Sequence, residues 1–218
     1  MFEMSETIRI LKFIFLALIC YTEARSVRRN RSACQGRSRI DIQSNDGVKI
    51  EPLSYSKVYI DSLAKPFHDG HTLRFEFRTQ SSNATLFYAV RRNDEYDMVS
   101  CGINEGFLHF KIRCKSSYVD LTIPTRVDDG EWHKVKFQRR RKKGIIMLDD
   151  MEFFEQYYVG CGGFTSVNFG STNPEHDNTL SIHELKDKDG QLNGCIRKLH
   201  ITTGIEAPPH YTAVSECN

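Results

Sequence analysis

The 218-residue chain has one tryptophan, no Cys-x-x-Cys pair and, beyond its first two dozen residues, no long apolar run. The missing Cys-x-x-Cys argues against a zinc ribbon or a thioredoxin-like redox motif. Without an apolar stretch of roughly 20 residues there is no candidate membrane-spanning helix. The chain contains no Gly-x-Ser-x-Gly elbow, no His-Glu-x-x-His and no Cys-His protease signature, so the familiar hydrolase motifs are not present. No stretch keeps a 3.6-residue apolar period over ten residues, which speaks against an α/β enzyme. No repeat of 20 to 50 residues occurs, so a solenoid is not expected. The net charge of +2 is too small to imply nucleic acid, and any anion binding must come from local clusters.

What is present begins with Arg9 and Lys12, the apolar run Phe13 to Tyr21 and the small-residue site Thr22-Glu23-Ala24. This order predicts a secretory signal peptide over residues 1–24 and a secreted, extracellular product without membrane insertion. Its removal takes two basic and three acidic residues, giving a net charge of +3 on the remaining 194 residues, enough for one domain. Six cysteines remain, Cys34, Cys101, Cys114, Cys161, Cys195 and Cys217, and an even count in a secreted chain argues for disulfides. Asn-x-Ser/Thr acceptors at Asn30 and Asn83 become candidate glycosylation sites in that context. Residues 25–51 are basic and poor in apolar side chains, and they read as an irregular leader in which Arg28 and Arg31 have the spacing of a proprotein cleavage site.

Beyond Ile50 the period changes to two. In HTLRFEFRTQ, Leu73, Phe75 and Phe77 alternate with Arg74, Glu76 and Arg78, which predicts a strand with one buried face. ATLFYAV, DMVSCGI, FLHFKIRC, YVDLTI, WHKVKFQ, GIIMLDD, TSVNFGS and GCIRKLHIT read the same way, with turn residues between them. Many short strands predict an antiparallel sandwich over residues 52–218. If Asn-Glu-Gly turns the hairpin after Ile103, Cys101 faces about His109 and Cys114 about Tyr96. The two cysteines are then some 16 Å apart, too far to bridge, so each is expected to reach Cys34 or Cys161. Trp132 and His133 enter a strand through the turn Asp128-Asp129-Gly130. The expectation is structural, with a packed indole and a hydrogen-bonded imidazole.

Five pieces, LRFEFRTQSSNATLFYA, NEGFLHFKI, IPTRVDDGEWHKVKFQR, GIIMLDD and LNGCIRKLHI with a closing Cys217, occur in one order. In this the chain resembles the laminin G-like family from about Pro52 to Cys217. The resemblance implies a jelly-roll β-sandwich of laminin G-like or concanavalin-like type. It also implies binding of cell-surface receptors, glycans or matrix glycoproteins through loops at one rim, often around calcium, without catalysis. It matches Cys195 and Cys217 to the family's C-terminal bridge. Aligned to the family, Asp97 falls on the first calcium-ligand aspartate, and Asp177 in NPEHDN is the best candidate for the second. The stretch YVGCGGFTSVNFGSTNPEHDN, with its extra Cys161, departs from the family's glycine-rich strand. One copy, where the family runs in tandem, fits a small standalone ligand or an incomplete gene product.

The run Arg139, Arg140, Arg141, Lys142 and Lys143 lies at a hairpin, and Lys134 and Lys136 extend it along one strand face. Guanidinium and ammonium groups so clustered can hold sulfated or acidic glycans, and they can equally be a solvated turn that discourages edge pairing. Asp187 to Gly194 looks briefly like a calcium loop but lacks the closing glutamate, since Lys198 stands there. His68 to His71 reads as a polar loop rather than a metal site. Two rival classes remain. A glycoside hydrolase on a related jelly roll would draw on Asp150, Glu152 and Glu155. A carrier of a small apolar ligand would need a pocket between the sheets.

Overall fold

The computed structural model describes residues 40–53, 55–91, 94–114, 117–140, 143–156, 163–170 and 190–217, within a compact unit spanning Arg39–Asn218. The regular structure of these described residues is all strand. In chain order these are β1 (Val48–Ile50), β2 (Lys57–Ile60), β3 (Thr72–Thr79), β4 (Ala84–Arg91), β5 (Asp94–Asn104), β6 (Phe107–Cys114) and β7 (Ser117–Arg126). They continue as β8 (His133–Arg140), β9 (Lys143–Leu148), β10 (Met151–Gln156), β11 (Ser166–Phe169), β12 (Gly194–Ile201), β13 (His210–Thr212) and β14 (Val214–Glu216). Two seven-stranded sheets face each other, in the orders β10-β9-β8-β3-β12-β1-β14 and β13-β2-β11-β4-β5-β6-β7. Every pairing is antiparallel, as an antiparallel jelly-roll sandwich requires.

The period-two pattern decides which face each sheet buries. On β3, Leu73, Phe75 and Phe77 point inward while Arg74 is exposed. Phe75 meets Phe87 of the opposite sheet edge-on at 5.7 Å and Phe169 at 5.5 Å. Phe137 lies 5.6 Å from Phe67 and 5.0 Å from Phe110. These are favoured aromatic geometries, and they add directional contacts to the area each ring buries.

Two-residue turns fix the hairpin registers. Between β5 and β6, Glu105 and Gly106 have φ of 52° and 85°, as a primed turn requires. The positive φ is what calls for glycine at Gly106, since the atoms a Cβ would meet there are the movable ends of the Arg126 and Asp128 side chains. The turn places Cys101 opposite Phe110 rather than His109, one residue from the expected register. Cys101 is fully buried in the core. The partners expected for it, Cys34 and Cys161, and the Cys114 side chain lie outside the described residues.

One boundary differs from the sequence reading. The stretch assigned to an irregular leader up to residue 51 already belongs to the sandwich from residue 40. Ile42, Val48 and Ile50 are fully buried, and β1 pairs with both β12 and β14. Three residues of alternation, Val48-Lys49-Ile50, are too few to stand out in a polar stretch. The place of β1 between two strands comes from partners at residues 194–196 and 214–216. The expected signal peptide, Arg28-Arg31 and Asn30 lie outside the described residues.

Candidate functional site

Rows of side chains cross the outer face of the first sheet, set by the strand registers. In one, His200 pairs with Arg74 and Arg74 with Lys136, three basic residues on adjacent strands. Strands stand about 4.8 Å apart, so the row spans roughly 10 Å. Like charges directly opposite one another are unfavourable in a sheet. None of the three makes an ion pair among the described residues. The nearest acid along β3, Glu76, belongs to the next row and is already engaged. Arg197 Nε donates to it at 2.7 Å and Lys198 Nζ at 2.9 Å. Burial alone would raise the Glu76 carboxyl, but these hydrogen bonds hold it below its ordinary value.

Trp132 and His133 sit at the end of this face and serve the fold. The Arg197 guanidinium lies 3.7 Å from the indole centroid and that of Arg78 lies 5.0 Å away, so the half-buried tryptophan is a platform for two arginines. His133 turns inward, 8% exposed, against Phe77. When protonated, its Nδ1 donates to Asp149 at 2.7 Å and its Nε2 to Asp129 at 3.0 Å. Burial pushes the imidazole down, but the two carboxylates outweigh it and leave His133 above its usual value. Asp149 also accepts the Lys134 amide at 2.7 Å, from a turn where Asp149 and Asp150 both have positive φ. The histidine therefore ties the turn before β8 to the turn after β9.

The structure redistributes the expected basic patch. Arg139 is not a surface cation. It alternates inward with His133, Val135 and Phe137, is 5% exposed, donates from Nη1 to the Phe67 carbonyl at 3.2 Å and lies over the Phe164 ring at 5.4 Å. A run of five cations hides the alternation that turns its first member into the core. Arg140 is exposed, Lys136 half-buried on the outer face, and Lys134 exposed with Asp150 at 3.1 Å. Arg141, Lys142 and the Lys143 side chain lie outside the described residues. Arg74 and His200, which complete the unpaired row, come from strands 62 and 64 positions from Lys136 in sequence. Only sheet pairing brings the three together.

Of the calcium candidates, Asp97 has its backbone in β5, and its side chain, like all of Asp177, lies outside the described residues. Among the described residues no group of three or more His, Cys, Asp or Glu is arranged to hold a metal. His68 and His71 form a loop in which His71 Nδ1 accepts the His68 amide at 2.8 Å. Of the hydrolase carboxylates, Asp150 is in the β9–β10 turn with Lys134, Glu152 is exposed, and the Glu155 side chain is outside the described residues. Between the sheets, the void lined by Leu63, Phe87, Phe137 and Phe164 measures about 10 Å³, room for about one water and not for a carried ligand. Cys195 and Cys217 are bridged, with Cα atoms 5.8 Å apart. Asn83 is exposed between β3 and β4, its side-chain oxygen accepting the Glu105 amide at 3.1 Å.

The two facing antiparallel sheets define a jelly-roll sandwich of the kind found in laminins. The laminin G domain model matches residues 77–203, more than half of the chain, and the chain belongs to that family. Laminin subunit alpha of Drosophila melanogaster is 22% identical over 184 residues, 79% of this chain and 5% of that protein. The basement membrane proteoglycan of Caenorhabditis elegans is 33% identical over 79 residues, 35% of this chain and 2% of that protein. The chain thus spans about a twentieth or less of these relatives. Among solved structures, domains LG4-5 of the mouse laminin alpha1 chain superpose with a TM-score of 0.67 at 16% identity, covering 80% of this chain and 47% of that one. The LG1-3 region of the laminin alpha2 chain gives 0.60 at 18% identity, covering 79% and 35%.

Proposed function

We propose that this chain is an extracellular binding module that holds sulfated or acidic glycans on the outer face of its first sheet. The observation that supports this most is the row His200, Arg74 and Lys136, three basic side chains in cross-strand register with no acid paired to them among the described residues. A polyanion laid across the strands would relieve their mutual repulsion, and the exposed Arg140 extends the field toward the hairpin. Such glycans are carried by matrix glycoproteins and by cell-surface receptors, either of which would present the ligand. Extracellular location is supported by the matrix relatives and by the signal-peptide pattern. The test is heparin-affinity elution of the full chain over a salt gradient. Arg74→Gln with Lys136→Gln should elute at lower salt and flatten the salt dependence by about one ion per lost contact, by the counterion logic of nucleic-acid binding. Elution unchanged by the double substitution would refute the proposal.

A further inference from the structure

We infer a modification site: Asn83 carries an N-linked oligosaccharide that is attached while the chain is still unfolded, because folding closes the acceptor. The acceptor Asn83-Ala84-Thr85 is read through two groups, the asparagine amide and the hydroxyl two residues on. The fold treats the two oppositely. Asn83 is exposed in the loop between β3 and β4. Thr85 is 2% exposed, and its hydroxyl is the one buried side-chain polar atom without a hydrogen-bond partner among the described residues.

The Asn83 amide is turned to carry a sugar. A backbone N–H can only donate, so the side-chain atom that meets the Glu105 amide at 3.1 Å is the oxygen. Nδ2 is the other end, with a contact of 3.5 Å to the exposed Ser82 hydroxyl, at the outer limit of a hydrogen bond. The Ser82 carbonyl accepts the Gly106 amide at 2.9 Å, which holds the loop against the β5–β6 turn. The attachment point is thus fixed on the surface of the finished domain.

The buried hydroxyl places the transfer before folding. A hydroxyl taken out of water without a partner works against the folded state. Valine has the same branched shape and would fill the position without that loss. The hydroxyl serves the chain only while it is accessible. In the folded domain Thr85 pairs with Gly102 of β5 and its amide donates to the Gly190 carbonyl at 3.0 Å, so the acceptor backbone cannot enter a transferase. Gly190 lies so close that a Cβ on it would come within 2.6 Å of the Asn83 carbonyl oxygen. It is made 105 residues after Thr85, so this last contact cannot close until the chain is nearly complete. In the transfer itself, Asn83 Nδ2 attacks the anomeric carbon of an oligosaccharide carried on a polyprenyl diphosphate. The C–N bond forms as the bond from that carbon to the diphosphate oxygen breaks. The diphosphate leaves with the electron pair, and an amide proton passes to a base of the transferase. The inference presupposes entry into the secretory pathway, which the signal-peptide pattern supports, and is independent of the basic row.

The experiment translates the full chain into endoplasmic-reticulum microsomes. Asn30→Gln silences the other acceptor, and a signal sequence of known efficiency replaces residues 1–24, so that entry does not rest on the chain's own leader. The expected result is a mobility shift of one oligosaccharide that peptide N-glycosidase removes, kept in Thr85→Ser and lost in Asn83→Gln and in Thr85→Val. In a second arm, purified transferase and lipid-linked oligosaccharide are offered to the folded, unmodified chain and to chain held unfolded by alkylation of its cysteines, including Cys101, which is fully buried in the fold. The alkylated chain should be modified several-fold faster, the folded chain hardly at all. Unmodified Thr85→Val should keep the wild-type urea midpoint or exceed it. No shift at Asn83 in chains that enter the microsomes, equal modification of folded and unfolded chain, or a urea midpoint lowered by Thr85→Val would overturn the inference.

Discussion

Replacing His133 with glutamine should lower stability most at mildly acidic pH and hardly at all at alkaline pH. The imidazolium makes two charge-assisted hydrogen bonds, which individually contribute about 1.5–3 kcal/mol when buried. The Asp149 and Asp129 side chains are 36% and 48% exposed, so solvent screening reduces each, and about 2 kcal/mol in total is expected. For a domain of this size that corresponds to roughly 4–8 °C in Tm. The sign follows from linkage. His133 has a raised value in the folded state, so its contribution is complete below about 6.5 and is lost as pH rises through the folded value. Asp129 is held below its ordinary value, by the Glu131 amide first and then, against burial, by His133. Its contribution is present above about pH 4 and is lost as pH falls further. Stability from this cluster should therefore plateau between about pH 4 and 6.5. Urea midpoints from pH 3 to 9 for the wild type, His133→Gln, Asp149→Asn and the double variant would measure it. Parallel pH profiles for wild type and His133→Gln, or no coupling in the double-mutant cycle, would refute the reasoning.

Arg139→Gln should destabilise by about 1–3 kcal/mol by loosening a buried hydrogen bond to Phe67, yet leave heparin elution unchanged. A shift in elution without loss of stability would put Arg139 back on the surface. Cys217→Ser opens a link between residues 22 apart, for which the chain-entropy relation gives about 3 kcal/mol, read as a lower urea midpoint. Phe75→Ala should cost about 3–5 kcal/mol, because the ring packs edge-on against two others and leaves a cavity, visible by calorimetry. If Asp97 and Asp177 hold calcium, millimolar calcium should raise Tm and Asp97→Ala should abolish the rise. A flat calorimetric titration would count against that pair.

Period-two alternation made the central strands legible, because Leu73, Phe75 and Phe77 alternate with charges over enough residues to exclude a helix. The short β1, β13 and β14 carry no such record, and only their hydrogen-bonded neighbours define them. That Trp132 and His133 enter a strand could be read from the turn Asp128-Asp129-Gly130 and the alternation after it, whereas the carboxylates that hold the imidazole lie on two separate turns. The basic cluster was visible as composition but not as geometry. Counting cations along the chain selected Arg139, which the strand's own period turns inward. It passed over Arg74 and His200, which join Lys136 only through register.

The place of β1 in its sheet has a consequence for biosynthesis. Val48 pairs with Ile196 on one side and Glu216 on the other, so its two partners are made 148 and 168 residues after it. At translation rates of about 5–20 residues per second, Val48 waits roughly 7 to 30 seconds before either neighbour is synthesised. In that interval Val48 and Ile50, buried in the finished domain, remain exposed beside an unpaired edge. Pairings of such high sequence separation also close slowly. The nascent domain therefore passes through a stage at which most of its strands exist but one sheet cannot be completed.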